Sequence, residues 1–131
     1  MPTLHKSELG KLRIYLTPTD KLPAPGLLGR LLGKPLAREL IHRAKAAGIL
    51  HATIHHSQYG YTNRGALQDD HPEQGNPRLN IYVELIDHKD ALEAFCQQQY
   101  ALLQHKTMVY KAAEHWSFRD TPTPSLITDY S

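Results

Sequence analysis

The sequence predicts an α+β domain of order βαββαβ, a four-stranded antiparallel sheet with both helices on one face. Three observations predict it. Two runs alternate apolar and polar residues, Leu12, Ile14 and Leu16 and then Leu79, Ile81, Val83 and Leu85, with the period of two of a half-buried strand. Two longer runs, Leu36 to Ala47 and Ala91 to Leu103, carry apolar residues at helical spacing,. Read in order with right-handed crossovers, the two halves close into the ferredoxin-like split arrangement, which leaves one sheet face bare.

Composition bounds the rest. A chain of 131 residues with 40% apolar content forms one domain with a modest core. The predicted division is an N-terminal arm at 1–9, the domain at 10–116 with a long connection at 60–78, and a C-terminal tail at 117–131. A formal charge of +2 gives no argument for nucleic acid or membrane, whereas nine histidines make the charge sensitive to pH between about 5 and 8. The single cysteine, Cys96, forms no internal disulfide and falls at an apolar helix position, so it is expected as a buried, inert thiol. No apolar run reaches leader or membrane-span length, which makes a cytoplasmic location the expectation.

Taken in order, residues 1–9 lack a pattern and are expected as a loose arm. Lys11 to Leu16 forms the first strand, ended by Thr17-Pro18-Thr19-Asp20. The leucine-bearing segment from Lys21 to Gly33 is punctuated by Pro23, Pro25, Gly26 and Gly29 and has no readable conformation. Pro35 opens the first helix where its missing N–H costs nothing; Leu36, Leu40, Ile41, Ala44 and Ala47 form its stripe, and Gly48 stops it,. The second strand is Ala52 to Tyr59, supported by Thr53 and Ile54,. Leu79 to Leu85 is the third. Asp87 is expected to cap the second helix, with Asp90 in its first turn,. Gln104-His105-Lys106 turns into a last strand from Thr107 to Ala112 that continues toward Trp116, and the tail beyond is expected to be extended and mobile unless docked,. On the bare face Arg13, Tyr15, Tyr82 and Glu84 point the same way, and such a face meets another subunit or a ligand.

Five segments carry a resemblance: Lys11-Leu-Arg-Ile-Tyr-Leu, Gly33-Lys-Pro-Leu, Ala47-Gly-Ile-Leu-His-Ala-Thr-Ile, Gly60-Tyr61 and Val83-Glu-Leu-Ile-Asp. Over about Gly10 to Ala112 the chain resembles an uncharacterised bacterial family of the PII-like superfamily, relatives of the nitrogen-regulatory PII signalling proteins,. The resemblance implies a homotrimer closed by the sheets. It also implies a loop after strand two that acts on a protein target, such as a transporter or an enzyme. Small anionic effectors, adenine nucleotides among them, would bind in clefts between subunits at the base of that loop. The chain departs from the pattern in three places. Gly60-Tyr61-Thr62 lacks the second glycine of a glycine-aromatic-glycine, Ser57 replaces a further glycine, and Gln104 to Lys106 is too short to cradle a triphosphate. A β-branched threonine restricts close phosphate approach, so fewer phosphates or a weaker grip are expected.

On this reading Lys34, Tyr61, Arg64 and Arg78 are ligand contacts, and Gly60 and Gly65 provide loop geometry; as plain residues they are equally well solvated charges and ordinary turns,. Asp69, Asp70, His71 and Glu73 are read as a solvated acidic loop,. The alternative class is a metal-binding trimer using His51 and His55, which share a strand face, with His56 on the other, and have no identifiable third ligand,. A small enzyme is the third class. Ser57 beside His55 and His56 is its candidate nucleophile and base, but strand neighbours point to opposite faces and no oxyanion site is suggested, so no catalytic set, metal site or cofactor is assigned. RNA recognition is excluded because Leu79-Asn-Ile-Tyr-Val-Glu-Leu lacks the basic-glycine-aromatic signature of that fold's third strand,.

Overall fold

The computed structural model describes residues 1–17, 20–22, 33–56, 59–60, 68–69 and 81–120. The elements are β1 (Pro2–Leu16), α1 (Leu36–Ala46), β2 (His51–His56), β3 (Tyr59–Gly60), β4 (Gln68–Asp69), β5 (Ile81–Asp87), α2 (Lys89–Gln98), α3 (Tyr100–Leu103) and β6 (Thr107–Asp120). Four of the strands form one sheet in the order β2-β5-β1-β6, every neighbour antiparallel, as the ferredoxin-like arrangement requires. β3 and β4 form a separate two-stranded pair inside the connection that the sequence leaves without internal structure.

Burial follows the alternation. Leu12, Ile14 and Leu16 of β1 and Ile81, Val83 and Leu85 of β5 face the helices. Against them pack Leu36, Ala37, Leu40 and Ala44 of α1, and Leu92, Phe95 and Leu103 from α2 and α3. The residues between them, Arg13, Tyr15, Tyr82 and Glu84, are only part-buried on the opposite face. Ala47, expected in the stripe, is exposed because α1 ends at Ala46.

The helix ends follow their local chemistry. Pro35 precedes α1 with φ −58° and ψ 129°, and the Leu36 N–H that would lack a partner donates to the Asp20 carbonyl at 2.8 Å,. Gly48 stops the helix at φ 82°. Gly48 N–H donates to Lys45 O at 3.1 Å and Ile49 N–H to Ala44 O at 3.0 Å, the bond pair of a Schellman motif.

The structure corrects four expectations. Residues 2–9 are not a loose arm but strand, paired with β6 from Pro2↔Asp120 through Leu9↔Ala113. Their pattern is unreadable because both faces of this overhang are largely solvated, while backbone pairing needs no apolar alternation. By the same pairing β6 passes Trp116 and takes in residues 117–120 of the expected tail; residues 121–131 lie outside those described. Asp87 does not cap α2; that position is His88, without a side-chain cap. Asp87 is instead the buried last residue of β5, and its carboxylate accepts from His88 N–H at 2.6 Å and Leu50 N–H at 3.2 Å. The second helix is broken at Gln99 (φ −100°, ψ 22°), whose side chain accepts from Arg43 Nη1 at 2.7 Å.

Gly10 sits where β1 leaves β5 and continues with β6 alone, since the β1–β5 register begins at Gly10↔Asp87. The Tyr110 ring lies over it. A Cβ at Gly10 would come within 2.6 Å of Tyr110 Oη and 2.8 Å of Cζ, so the missing side chain makes room for the ring.

Candidate binding face of the sheet

Strand register assembles the bare face into rows that cross the sheet. His55, Tyr82 and Tyr15 form one row, Thr53, Glu84 and Arg13 the next, and His51, Ile86 and Lys11 the third; Thr107, Val109 and Lys111 of β6 extend them. Residues that are far apart in sequence become neighbours because side chains alternate strictly between faces.

The first two rows are tightly interlocked. Arg13 Nε donates to Glu84 Oε2 at 2.9 Å, and the guanidinium carbon lies 4.8 Å from the Tyr82 ring centre. On the Tyr82 side toward β2 the His55 imidazole stacks at 4.8 Å and 11°, and toward β1 Tyr15 lies at 5.6 Å. His55 Nε2 and Thr53 Oγ1 hydrogen-bond at 2.7 Å, and Glu84 Oε1 is 3.9 Å from the same nitrogen. The hydrogen bond from Arg13 to Glu84, followed by that with Tyr15, raises the guanidinium above its usual range. Arg13 is therefore a cation anchored by Glu84 and placed over an aromatic ring, an arrangement suited to planar or anionic groups,.

This cluster supplies hydrogen-bond donors, a carboxylate, π faces and one hydroxyl within hydrogen-bond reach of an imidazole, Thr53 beside His55,. Among the described residues no group of three His, Cys, Asp or Glu is spaced to hold a metal ion. His51 and His55 share a face as expected, yet His55 is engaged by Thr53 and Tyr82. Cys96 is half-buried on α2, and burial, then the Glu93 charge, push its thiol pKa up,.

The residues expected to contact ligand are only partly within view. Lys34 is exposed just before α1, its carbonyl accepting from Leu22 N–H at 2.9 Å. Gly60 pairs with Gln68 in the β3–β4 pair. Tyr61, Arg64, Gly65 and Arg78, together with Ser57, Asp70, His71, Glu73 and most of the leucine-bearing segment, lie outside the described residues. Thr53 and His55 join the cluster on the bare face without having been singled out for it. The signal that finds them is the alternation His51, Thr53, His55, combined with a register that sequence alone does not contain.

The profile of DUF190, a family described as an uncharacterized ACR, matches residues 9–115. No curated protein matches the chain. Among solved structures, CPII, a nitrogen regulatory PII-like protein from Thiomonas intermedia K12 bound to ADP, AMP and bicarbonate, superposes with a TM-score of 0.53 at 13% identity, covering 88% of this chain and 92% of that one. The same protein bound to ADP and bicarbonate gives 0.50 at 16% identity, with 88% and 98% covered. The fold is PII-like. No helix among the described residues is long and apolar enough to cross a membrane.

Proposed function

This chain belongs to the DUF190 family, and on that premise we propose that it is a PII-like regulator, not an enzyme, working as a homotrimer in the cytoplasm. It binds a small anionic metabolite, an adenine nucleotide in the first instance, in the clefts between subunits. Occupancy is relayed to a protein target, a transporter or an enzyme, through the connection after β2. The observation that carries this reading is the likeness over 88% of the chain to CPII bound to ADP, AMP and bicarbonate. The paired β3 and β4, Tyr59–Gly60 against Gln68–Asp69, give that connection a defined stem from which a loop change is transmitted. Lys34, Tyr61, Arg64 and Arg78 contact the ligand, and Gly60 and Gly65 set the loop. The ligand binds one loop conformation more tightly than another, which is the condition for any population shift.

Calorimetry with ATP, ADP, AMP, cyclic AMP and bicarbonate, on protein whose trimeric state is established by light scattering, tests the reading. Binding of an adenine nucleotide that Lys34→Ala and Arg64→Ala weaken is the expected result. No heat with any of these ligands on a verified trimer removes the nucleotide reading.

A further inference from the structure

β1 and β6 outrun the rest of the sheet. Residues 2–9 and 113–120 pair only with each other, making a two-stranded ribbon of a kind marginally stable alone in water. On its helix-side face Trp116 is 57% and Phe118 74% exposed. Beside them Glu8 stands directly opposite Glu114, and Glu114 Oε1 accepts from Trp116 Nε1 at 3.0 Å. Lys6 lies over the Trp116 ring, 4.9 Å from its centre, and pairs with neither glutamate.

The other face carries the opposite charge. Lys11 stands directly opposite Lys111, and neither lysine has an ion-pair partner among the described residues. The pair lines a basin together with Arg13, Tyr15, Val109 and Ala113. Like charges directly across a ladder destabilise it. Here two such pairs of opposite sign, Lys11↔Lys111 within the sheet and Glu8↔Glu114 within the ribbon, sit three residues apart along β1 on opposite faces,. An occupant of the basin needs an aromatic body bearing carboxylates. The chain itself displays that combination in Trp116, Glu114 and Glu8.

We propose that the Glu8, Glu114 and Trp116 face of one copy seats in the Lys11, Lys111, Tyr15 and Val109 basin of a second copy. Because the two surfaces lie on opposite faces, the contact is head-to-tail and closes only as a ring. The proposal rests on the trimer reading above and names the surface that makes it.

The test is sedimentation velocity of full-length wild type, Glu8→Lys/Glu114→Lys, Lys11→Glu/Lys111→Glu and the variant with all four reversals, with circular dichroism to verify folding. Each double reversal makes both surfaces one sign and weakens association at least about tenfold, while the fourfold reversal restores complementarity and returns association to within a few-fold of wild type. Glu8→Gln/Glu114→Gln weakens it in the same direction and serves if a reversal fails to fold. A wild-type trimer that both double reversals leave unchanged overturns this surface and leaves the trimer standing. A wild-type monomer overturns both. Unchanged association accompanied by a phosphate-dependent rise in Tm that Lys11→Glu abolishes assigns the lysines to a free anion and overturns the proposal.

Discussion

Gly10→Ala tests the packing at the point where the ribbon leaves the sheet. In an ordinary strand the change is favourable by about 0.5–1 kcal/mol, since glycine loses the most backbone entropy on folding. Here the added methyl would overlap Tyr110 Cε1 and come within 2.6 Å of Oη and 2.8 Å of Cζ, so the ring must swing away. Tyr110 is 40% exposed; with about 200 Å² for a tyrosine, about 120 Å² is covered, worth about 3 kcal/mol at 25 cal/mol/Å² if all were lost. The ring keeps part of that contact after moving, so the expected net cost is about 1–2 kcal/mol. With Tyr110→Ala as background the obstacle is gone, and Gly10→Ala becomes stabilising by about 0.5 kcal/mol. Urea unfolding of wild type, both single variants and the double variant, at one fixed protomer concentration, reads a coupling of about 2 kcal/mol. Additivity within about 0.3 kcal/mol would refute the argument that Tyr110 is what requires glycine there.

Three other outcomes are expected. Asp87→Ala leaves the Leu50 and His88 N–H groups without their carboxylate and costs about 2–3 kcal/mol in denaturant unfolding, with Asp87→Asn intermediate because it retains a single acceptor oxygen. Glu39 accepts from Arg43 at 3.0 Å and its pKa is lowered by that bond. Its folded pKa lies below its unfolded one, so its contribution is present above the unfolded value of 4.5 and is lost as pH falls through the folded one,. The Tm difference between wild type and Glu39→Gln therefore shrinks on going from about pH 6 to about pH 3, and a constant difference contradicts the shift. The raised Cys96 thiol reacts with a disulfide reagent at neutral pH more slowly than free cysteine, and unfolding in urea removes the difference.

What was legible in the sequence is what short-range pattern encodes. The alternations around Ile14 and Val83, the stripe through Leu40 and Ala44 and the stop at Gly48 each appear where expected, because burial of one face or a positive φ leaves a local trace. Residues 2–9 leave none, since their partners are residues 113–120 and, Leu9 apart, neither face of the ribbon is buried. The break at Gln99 is equally silent: no glycine or proline marks it, and its side chain is held by Arg43 from the other helix. Asp87 shows how a correct residue can be given the wrong task. An acid before a helix resembles a cap, but its place as the last residue of β5 turns the carboxylate toward Leu50. On the bare face, period two is enough to group Arg13, Tyr15, Tyr82 and Glu84, whereas the stacking of His55 on Tyr82 depends on the pairing His55↔Tyr82.

The ribbon also determines how the chain bears a mechanical load. Pro2 and Asp120 are partners across the ladder, so a force drawing them apart acts at right angles to both strands and opens one bonded pair after another, as a zip does. That peeling meets little resistance until Gly10, where β5 first grips the other side of β1. Beyond it β1 is held by β5 on its other edge, while β6, an edge strand bonded to β1 alone, goes on parting pair by pair.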